Sequence, residues 1–512
     1  MKKLITISLL ASLVLSAAGC TQKTGTDDAM NVEMMVVNDS KNNDQADYAI
    51  VKLFKERFNI DLTLTQNSIN AHLEKLKLLA ASDELPDIIS PLPEAESKNY
   101  GSKGALVPVD EHLDIMPNLK KYLDGDKVVY TSMLANDGHL YSIPKINLIP
   151  EYKWISMIRA DLVEEVGMEM PTTMAELIDV LTAIKEKHPE IEGVVSRDKM
   201  NFLQSYGIMY NTSIGMYYDK ASDKWVYGPT NAGYRELVRD FNTLHKGGLL
   251  DKEFFTASLE MWEEKMVNGS GVFTVDWGSR ASMANANHMT VKPEDKSFKW
   301  ELIMPLTSEN NTEKRLNQSQ TIGTWSAFGV SSKVKNPEKL LGAIDYLYTQ
   351  EGAELLQWGI RDKEFTEENG RKKFLPHIKT SYNPDGEEVL SETQGINSPH
   401  FMRLMQNDGI SALPEDLQSF MKEVEESGIE TFETNYKIQL TFTEDEEDRI
   451  RVITTNLDTF VSENTINFII GEKPLDEYDS FVAQMKESGA GELEEIYQTA
   501  YARYRELAKE IE

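Results

Sequence analysis

Between residues 30 and 91 short apolar runs alternate with helical periodicity, and that order limits the fold more than any other feature of the chain. Val32 to Val37 reads as a strand, Tyr48, Val51, Phe54 and Phe58 mark one face of a helix, and Ile60 to Thr65 alternates as a second strand. A Leu- and Ala-rich helix from His72 to Ala81 stops at Ser82-Asp83-Glu84. Pro86 then sets an extended start, and Ile88-Ile89 form a very short apolar strand closed by Ser90-Pro91. A β-α-β-α-β order ending in a doubly apolar strand implies an open sheet covered by helices. Ligands of such sheets sit beyond the carboxyl ends of the strands, which puts Ser90 to Glu94 at the border of a cleft.

The rest of the chain continues in mixed α/β style. Asn136 to Pro144 carries Asp-Gly turn chemistry and reads as a hairpin. Strands are expected at Trp154 to Ile158, Gly271 to Trp277, Trp300 to Met304 and Thr324 to Val330, with helices between them. Pro171-Thr172-Thr173 caps a helix running from Met174 to Lys187. The last quarter is helical, at Glu415 to Ser427, Ile450 to Ile470, Leu475 to Ser488 and Leu493 to Glu510. The acidic run Thr443 to Asp448 reads as a solvated face or loop, not a metal site.

At the N-terminus Lys2-Lys3 precede an apolar run from Leu4 to Ala18, then Gly19 and Cys20. The run is shorter than the roughly 20 residues that span a bilayer and has the form of a secretory signal over residues 1–19. Small residues before a lone Cys resemble a bacterial lipobox, with Ala17 where Leu is usual. Cys20 is therefore expected to carry a lipid anchor on the outer face of the cell membrane, with residues 20–29 as a polar tether. Cys20 is the single cysteine, so neither an intramolecular disulfide nor a cysteine metal site can form. The net charge of −31 argues against nucleic acid and against adsorption to anionic lipid.

Signatures of catalysis are missing: there is no phosphate-binding Gly-x-x-x-x-Gly-Lys, no His-Glu-x-x-His and no Gly-x-Ser-x-Gly. With 84 acidic residues, a carboxylate pair for glycoside hydrolysis could be chosen anywhere and carries no weight. What stands out instead are tryptophans among small and polar residues: Trp277 in Val275-Asp276-Trp277-Gly278, Trp325 in Gly323-Thr324-Trp325-Ser326, and Trp358 in Gln357-Trp358-Gly359. An indole offers a flat apolar face and an N–H donor, which suits a sugar ring. Core packing is the alternative for each. Trp154, Trp225 and Trp262 sit in amphipathic contexts and read as packing residues.

An ordered series of segments then resembles one family. Leu79 to Ile89 is similar to its Leu-Ala-Ser-Gly-Asp-Leu-Pro-Asp-Ile, and Gly104 to Asp110 with Pro117-Asn118 to its Gly-Ala-Leu-Val-Pro-Leu-Asp … Pro-Asn. Asp137 to Pro144, Ile158 to Leu162 with Gly167 and Pro171-Thr172-Thr173, Lys246 to Phe255, Val330 to Gly352 and Phe481 to Tyr504 match in turn. The family is that of extracellular solute-binding lipoproteins of ABC importers, carbohydrate type (family 1), closest to the LplA-like subgroup. Two departures stand out. Relatives carry a calcium loop where this chain has His188 to Val195 without the ligand spacing, so no metal is expected there. The family's Trp-Gly-x-Glu-Gly-x-x-Tyr is Trp358 to Phe365 here, with Arg361, Asp362 and Lys363 adding charge.

The resemblance implies an α/β, two-lobed periplasmic-binding-protein-like fold with an interlobe cleft and a helical C-terminal region. The expected N-terminal lobe is 30–148 plus 322–385, and the C-terminal lobe 149–321 plus 386–512. It implies capture of an oligosaccharide by hinge closure and delivery to ABC permease subunits, as a monomer, without cofactor or catalysis. A peptide or other organic solute is the alternative ligand, and a secreted glycan-degrading enzyme the alternative class. From local context the expected ligand residues are Trp277, Trp325 and Trp358, with polar contacts from Asp276, Arg159, Arg280, Ser90, Glu94 and Asp39.

Overall fold

In the computed structural model the described residues are 28–37, 45–150, 152–197, 202–318, 322–380, 383, 386–432 and 438–511. Strands β1 (Met30–Val37), β2 (Ile60–Asn67), β3 (Ile88–Ser90) and β4 (Ile143–Asn147) come first. After β4 the chain crosses to a second lobe through β5 (Tyr152–Lys153). It builds that lobe with β6 (Ile155–Arg159), β7 (Gly193–Val194), the hairpin β8 (Met216–Asp219) and β9 (Lys224–Tyr227), β10 (Gly271–Asp276) and β11 (Trp300–Ile303). It returns through β12 (Arg315–Gln318) into β13 (Ile322–Val330), then makes the hairpin β14 (Phe365–Glu368) and β15 (Arg371–Phe374), and β16 (Leu404–Met405). A third crossing leads to β17 (Glu430–Phe432) and the C-terminal helices.

The first sheet has the order β16-β4-β13-β3-β1-β2. Every neighbouring pair in it is parallel except those made by β13, which runs against both β3 and β4. The carboxyl ends of β1, β3, β4 and β16 therefore share one edge, while β13 enters from that edge. The second sheet, β11-β6-β10-β7, likewise has one reversed strand, β6, so the start of β6 lies beside the end of β10. Gly193 opens β7 at φ +83°, and a Cβ there would meet the Leu249 carbonyl oxygen at 2.2 Å, so only glycine allows this close pairing.

Each lobe has its own core. Met34, Val36, Phe54, Ile88, Ile143, Phe328 and Leu341 belong to the first; Ile158, Leu177, Phe241, Phe273 and Leu457 to the second. The long helix Glu444–Ile470 packs Ile453, Leu457, Val461 and Phe468 into the second core, at spacings that share one helical face. Its acidic first turn is closed by a capping box between Thr443 and Glu446, which explains the charge run as a helix start with the favourable dipole sign. The crossings are tied together: Asn317 pairs with Lys153 and Gln318 with Tyr152, in a small sheet completed by β17.

Two expectations are corrected. Asp137-Gly138 makes a tight turn, Gly138 donating to the Ala135 carbonyl, but no hairpin forms around it. The segment before it is the helix Lys127–Met133, capped by Asp126, and β4 pairs with β13 and β16 instead. The first lobe also does not end at 385: Leu390, Ile396, Phe401, Met402 and Leu404 are buried in its core, and β16 extends its sheet. These apolar residues lack any single period, because they line a loop folded against a finished core. The C-terminal region also touches the first lobe, where Lys98 donates to Thr441 Oγ1 at 2.9 Å and Tyr504 OH to the Val128 carbonyl at 3.3 Å.

Candidate functional site between the lobes

The end of β10 delivers Asp276 and Trp277 to the boundary between the lobes. Asp276 is buried, and Arg197 grips it with both arms, Nε to Oδ2 at 2.6 Å and Nη2 to Oδ1 at 3.1 Å. Such a bidentate, charge-assisted pair fixes orientation as well as energy. Asp276 Oδ1 also accepts from the Trp277 backbone N–H at 2.7 Å, so the pair holds the start of the loop that carries the indole. Arg280 comes close from the next helix, 4.0 Å from Asp276, and its guanidinium binds Glu263 at 2.6 Å.

Trp277 is half-buried, and the Lys153 ammonium stands 5.3 Å from the ring centroid. On one side of Trp277 lies a small pocket of about 50 Å³ lined by Trp154, Ser196, Arg197 and Asp276. On the other lies a pocket of about 140 Å³ that it shares with Asn147 and Met405, at the ends of β4 and β16. The ring thus stands where the carboxyl ends of both sheets meet. Trp154, at the start of β6, has a left-handed backbone (φ 55°). Such a conformation is costly for a bulky residue and concentrates at functional sites. Behind this wall the Tyr206 hydroxyl is fully buried, and burial, with the Asp276 charge, pushes its pKa up.

Not all the expected residues join this group. Arg159 is at the opposite end of β6 from Trp277, bound to Asp161 at 2.6 Å and stacked over Phe298 at 3.9 Å. It frames the second lobe. Trp358 is only 1% exposed, with its ring against Phe374 and Phe365 and its Nε1 donating to Asp408 at 3.2 Å. An indole so enclosed has no free face for a sugar. Ser90 is buried at the carboxyl end of β3 and donates to the His400 carbonyl at 2.9 Å. Glu94 pairs with Lys98 at 2.7 Å and lines a pocket of about 410 Å³ with Gln439 and Thr441. Trp325 belongs to β13, but its side chain is outside the described residues, as are Asp39 and Cys20.

Sequence reading missed Arg197, Trp154 and Lys153. Arg197 had a usable signal, since Val194-Val195 is a short apolar run ending in Ser196-Arg197, and the strand-end rule applied to Ser90 applies equally there. Trp154 had none, because its backbone conformation is set by the crossing. Among the described residues no cluster of three or more His, Cys, Asp or Glu side chains could hold a metal ion. No helix among them is long and apolar enough to cross a membrane.

A family model of bacterial extracellular solute-binding proteins matches residues 49–354. The chain is 23% identical over 463 residues to the fructooligosaccharide ABC transporter substrate-binding protein FusA of Streptococcus pneumoniae serotype 4, covering 84% of this chain and 82% of FusA. It is 21% identical over 501 residues to the polygalacturonan/rhamnogalacturonan-binding protein YtcQ of Bacillus subtilis, covering 94% and 93%. The fold superimposes on that of an HMO-binding, ABC-transporter-associated solute-binding protein of Bifidobacterium longum infantis with a TM-score of 0.77. The identity is 15%, with 93% of this chain and 99% of the other covered.

Proposed function

The chain belongs to the bacterial extracellular solute-binding proteins, and on that footing we propose that it captures an oligosaccharide between its lobes and hands it to an ABC permease without altering it. The observation that carries this reading is Trp277, a half-exposed indole held at the meeting of the two sheets by the Asp276–Arg197 pair. An aromatic face flanked by hydroxyl and charged groups matches the alternating C–H and O–H surface of a sugar ring. The carbohydrate ligands named for FusA and YtcQ support the same class. Closure would bring Asn147 and Met405 of the first lobe against a ligand resting on Trp277, so contacts from both lobes would favour the closed state. In this reading Cys20 carries the lipid that holds the monomer on the outer face of the membrane, and residues 20–29 are its tether.

The test is a thermal-shift screen of the purified protein against fructooligosaccharides, pectin fragments and short peptides, with reducing ends assayed in parallel. A saturable shift by a sugar without turnover is expected. Release of reducing ends, or a shift by peptides alone, would overturn the reading.

A further inference from the structure

A roomier cavity lies beyond the pockets at Trp277. It measures about 510 Å³ and opens in the first lobe against the hinge. That size is within the range of small-molecule sites. We propose that this cavity is a second ligand site, for a compact aromatic acid, and that its occupant acts on the hinge.

The chemistry of the walls selects the ligand class. Phe374, Ile378, Val389 and Leu390 make an apolar, partly aromatic interior, with the enclosed Trp358 indole behind it. The neutral polar lining is Gln357, Thr380, Ser391 and Asn397, and the exposed Lys379 is the one cationic side chain among the described lining residues. A flat apolar body with a single anionic group satisfies both parts, the ring removing apolar wall from water and the anion meeting the lysine.

The position selects the effect. Ile149 belongs to the first crossing and Gly409 and Leu413 to the third, which starts just after Met405 at the end of β16, so two crossing segments form one side of the cavity. Ile149, Met405 and Leu413 also line the pocket of about 140 Å³ that reaches Trp277. Three side chains are thus a common wall between this cavity and the underside of the candidate ligand site. The packing there is tight, since a Cβ on Gly409 would meet Ile149 at 2.5 Å and Gln357 at 2.3 Å. A ligand pressing on this wall must shift the crossings, and any ligand that prefers one hinge state biases the other site by the same coupling free energy.

The experiment uses the full chain and 1-anilinonaphthalene-8-sulfonate, an aryl anion whose fluorescence rises in apolar surroundings. Saturable 1:1 binding is expected. Ala412→Phe, which fills the cavity, should abolish it, and Lys379→Glu, a surface change, should weaken it about tenfold, near 1.4 kcal/mol. Hydrogen exchange of amides in 148–153 and 407–413 should slow when the probe binds the native sequence. Binding unchanged in both variants would overturn the site. An effect of Ala412→Phe with none of Lys379→Glu would overturn the acid preference, and unaltered exchange at the crossings would overturn the hinge role. No sugar enters the experiment, so its outcome is independent of the oligosaccharide reading.

Discussion

Trp277 and Trp358 each precede a glycine and sit beside small or polar residues, yet they end in opposite surroundings. Trp277 leaves the carboxyl end of β10 and stands half-buried between two pockets, with Lys153 near its face. Trp358 ends the helix Gln350–Gln357, where the chain turns back under the hairpin β14–β15 and encloses it with Phe365 and Phe374. The difference lies in the path of the chain beyond each residue. After Trp277 a helix leads away from the boundary, whereas after Trp358 the hairpin returns as a lid. A tryptophan in a polar setting is therefore a ligand candidate only where the downstream chain leaves its face open.

The strongest test of this contrast is Trp358→Ala. It should cost about 3–5 kcal/mol of stability, the range for emptying a fully buried tryptophan site, measured by denaturant unfolding. A loss below about 1 kcal/mol would break the comparison, since it would mean that Trp358 is not a core residue. Next comes Asp276→Ala, which leaves Arg197 without its bidentate partner. About 3 kcal/mol should be lost, and sugar binding should fall with it because the Trp277 loop loses its anchor. Retention of full affinity would show that Trp277 is held by other contacts. Smaller in stability is Trp277→Ala itself, expected within about 1 kcal/mol of the parent. Its sugar affinity should nevertheless fall at least about tenfold by calorimetry. The smallest effect is one of pH and belongs to the first lobe. His72 is fully buried and its Nε2 bonds the Pro91 carbonyl at 2.8 Å; burial lowers its pKa below 6.5. The unfolded chain then binds the proton more readily than the folded one, so stability should decline as pH drops through 6.5. In His72→Gln that part of the pH dependence should vanish from thermal melts.

Cations show a second contrast between the lobes. Lys265 in the second lobe is bound by Asp251 at 2.7 Å, Glu253 at 2.9 Å and Glu192 at 3.0 Å. Burial works against its charge, but these three carboxylates hold its pKa above the usual lysine value. Arg403 in the first lobe is completely buried. Its partners among the described residues are the carbonyls of Ile143 at 3.3 Å and Pro399 at 3.4 Å, and the Phe328 ring at 3.7 Å. Burial brings its pKa down to about 10. Neither environment could be read from the chain, since Lys265 and Glu192 look like ordinary surface residues of a helix and a loop.

The stretch from Leu79 to Pro91 was legible because each step in it is local: helix periodicity, a polar stop, a proline and a short apolar strand. The same holds for β10, the capped helix Met174–Lys187 and the long C-terminal helix. Trp277 and Asp276 could be proposed as site residues from the strand end they occupy. Arg197, 79 positions from Asp276, could not be paired with it, and the burial of Trp358 depends on a hairpin that begins only at Phe365.

The amino-acid sequence alone determined most of the elements, the α/β class, the family resemblance and the absence of known catalytic motifs. All of these depend on interactions within a few residues of one another or on ordered local motifs. Only the tertiary structure decided that β13 runs against its neighbours, that residues 390–405 return to the first lobe, and which tryptophan stands open between the sheets. Those outcomes depend on burying apolar surface and pairing charges across long separations, where many partners are chemically equivalent and only the packed whole selects among them.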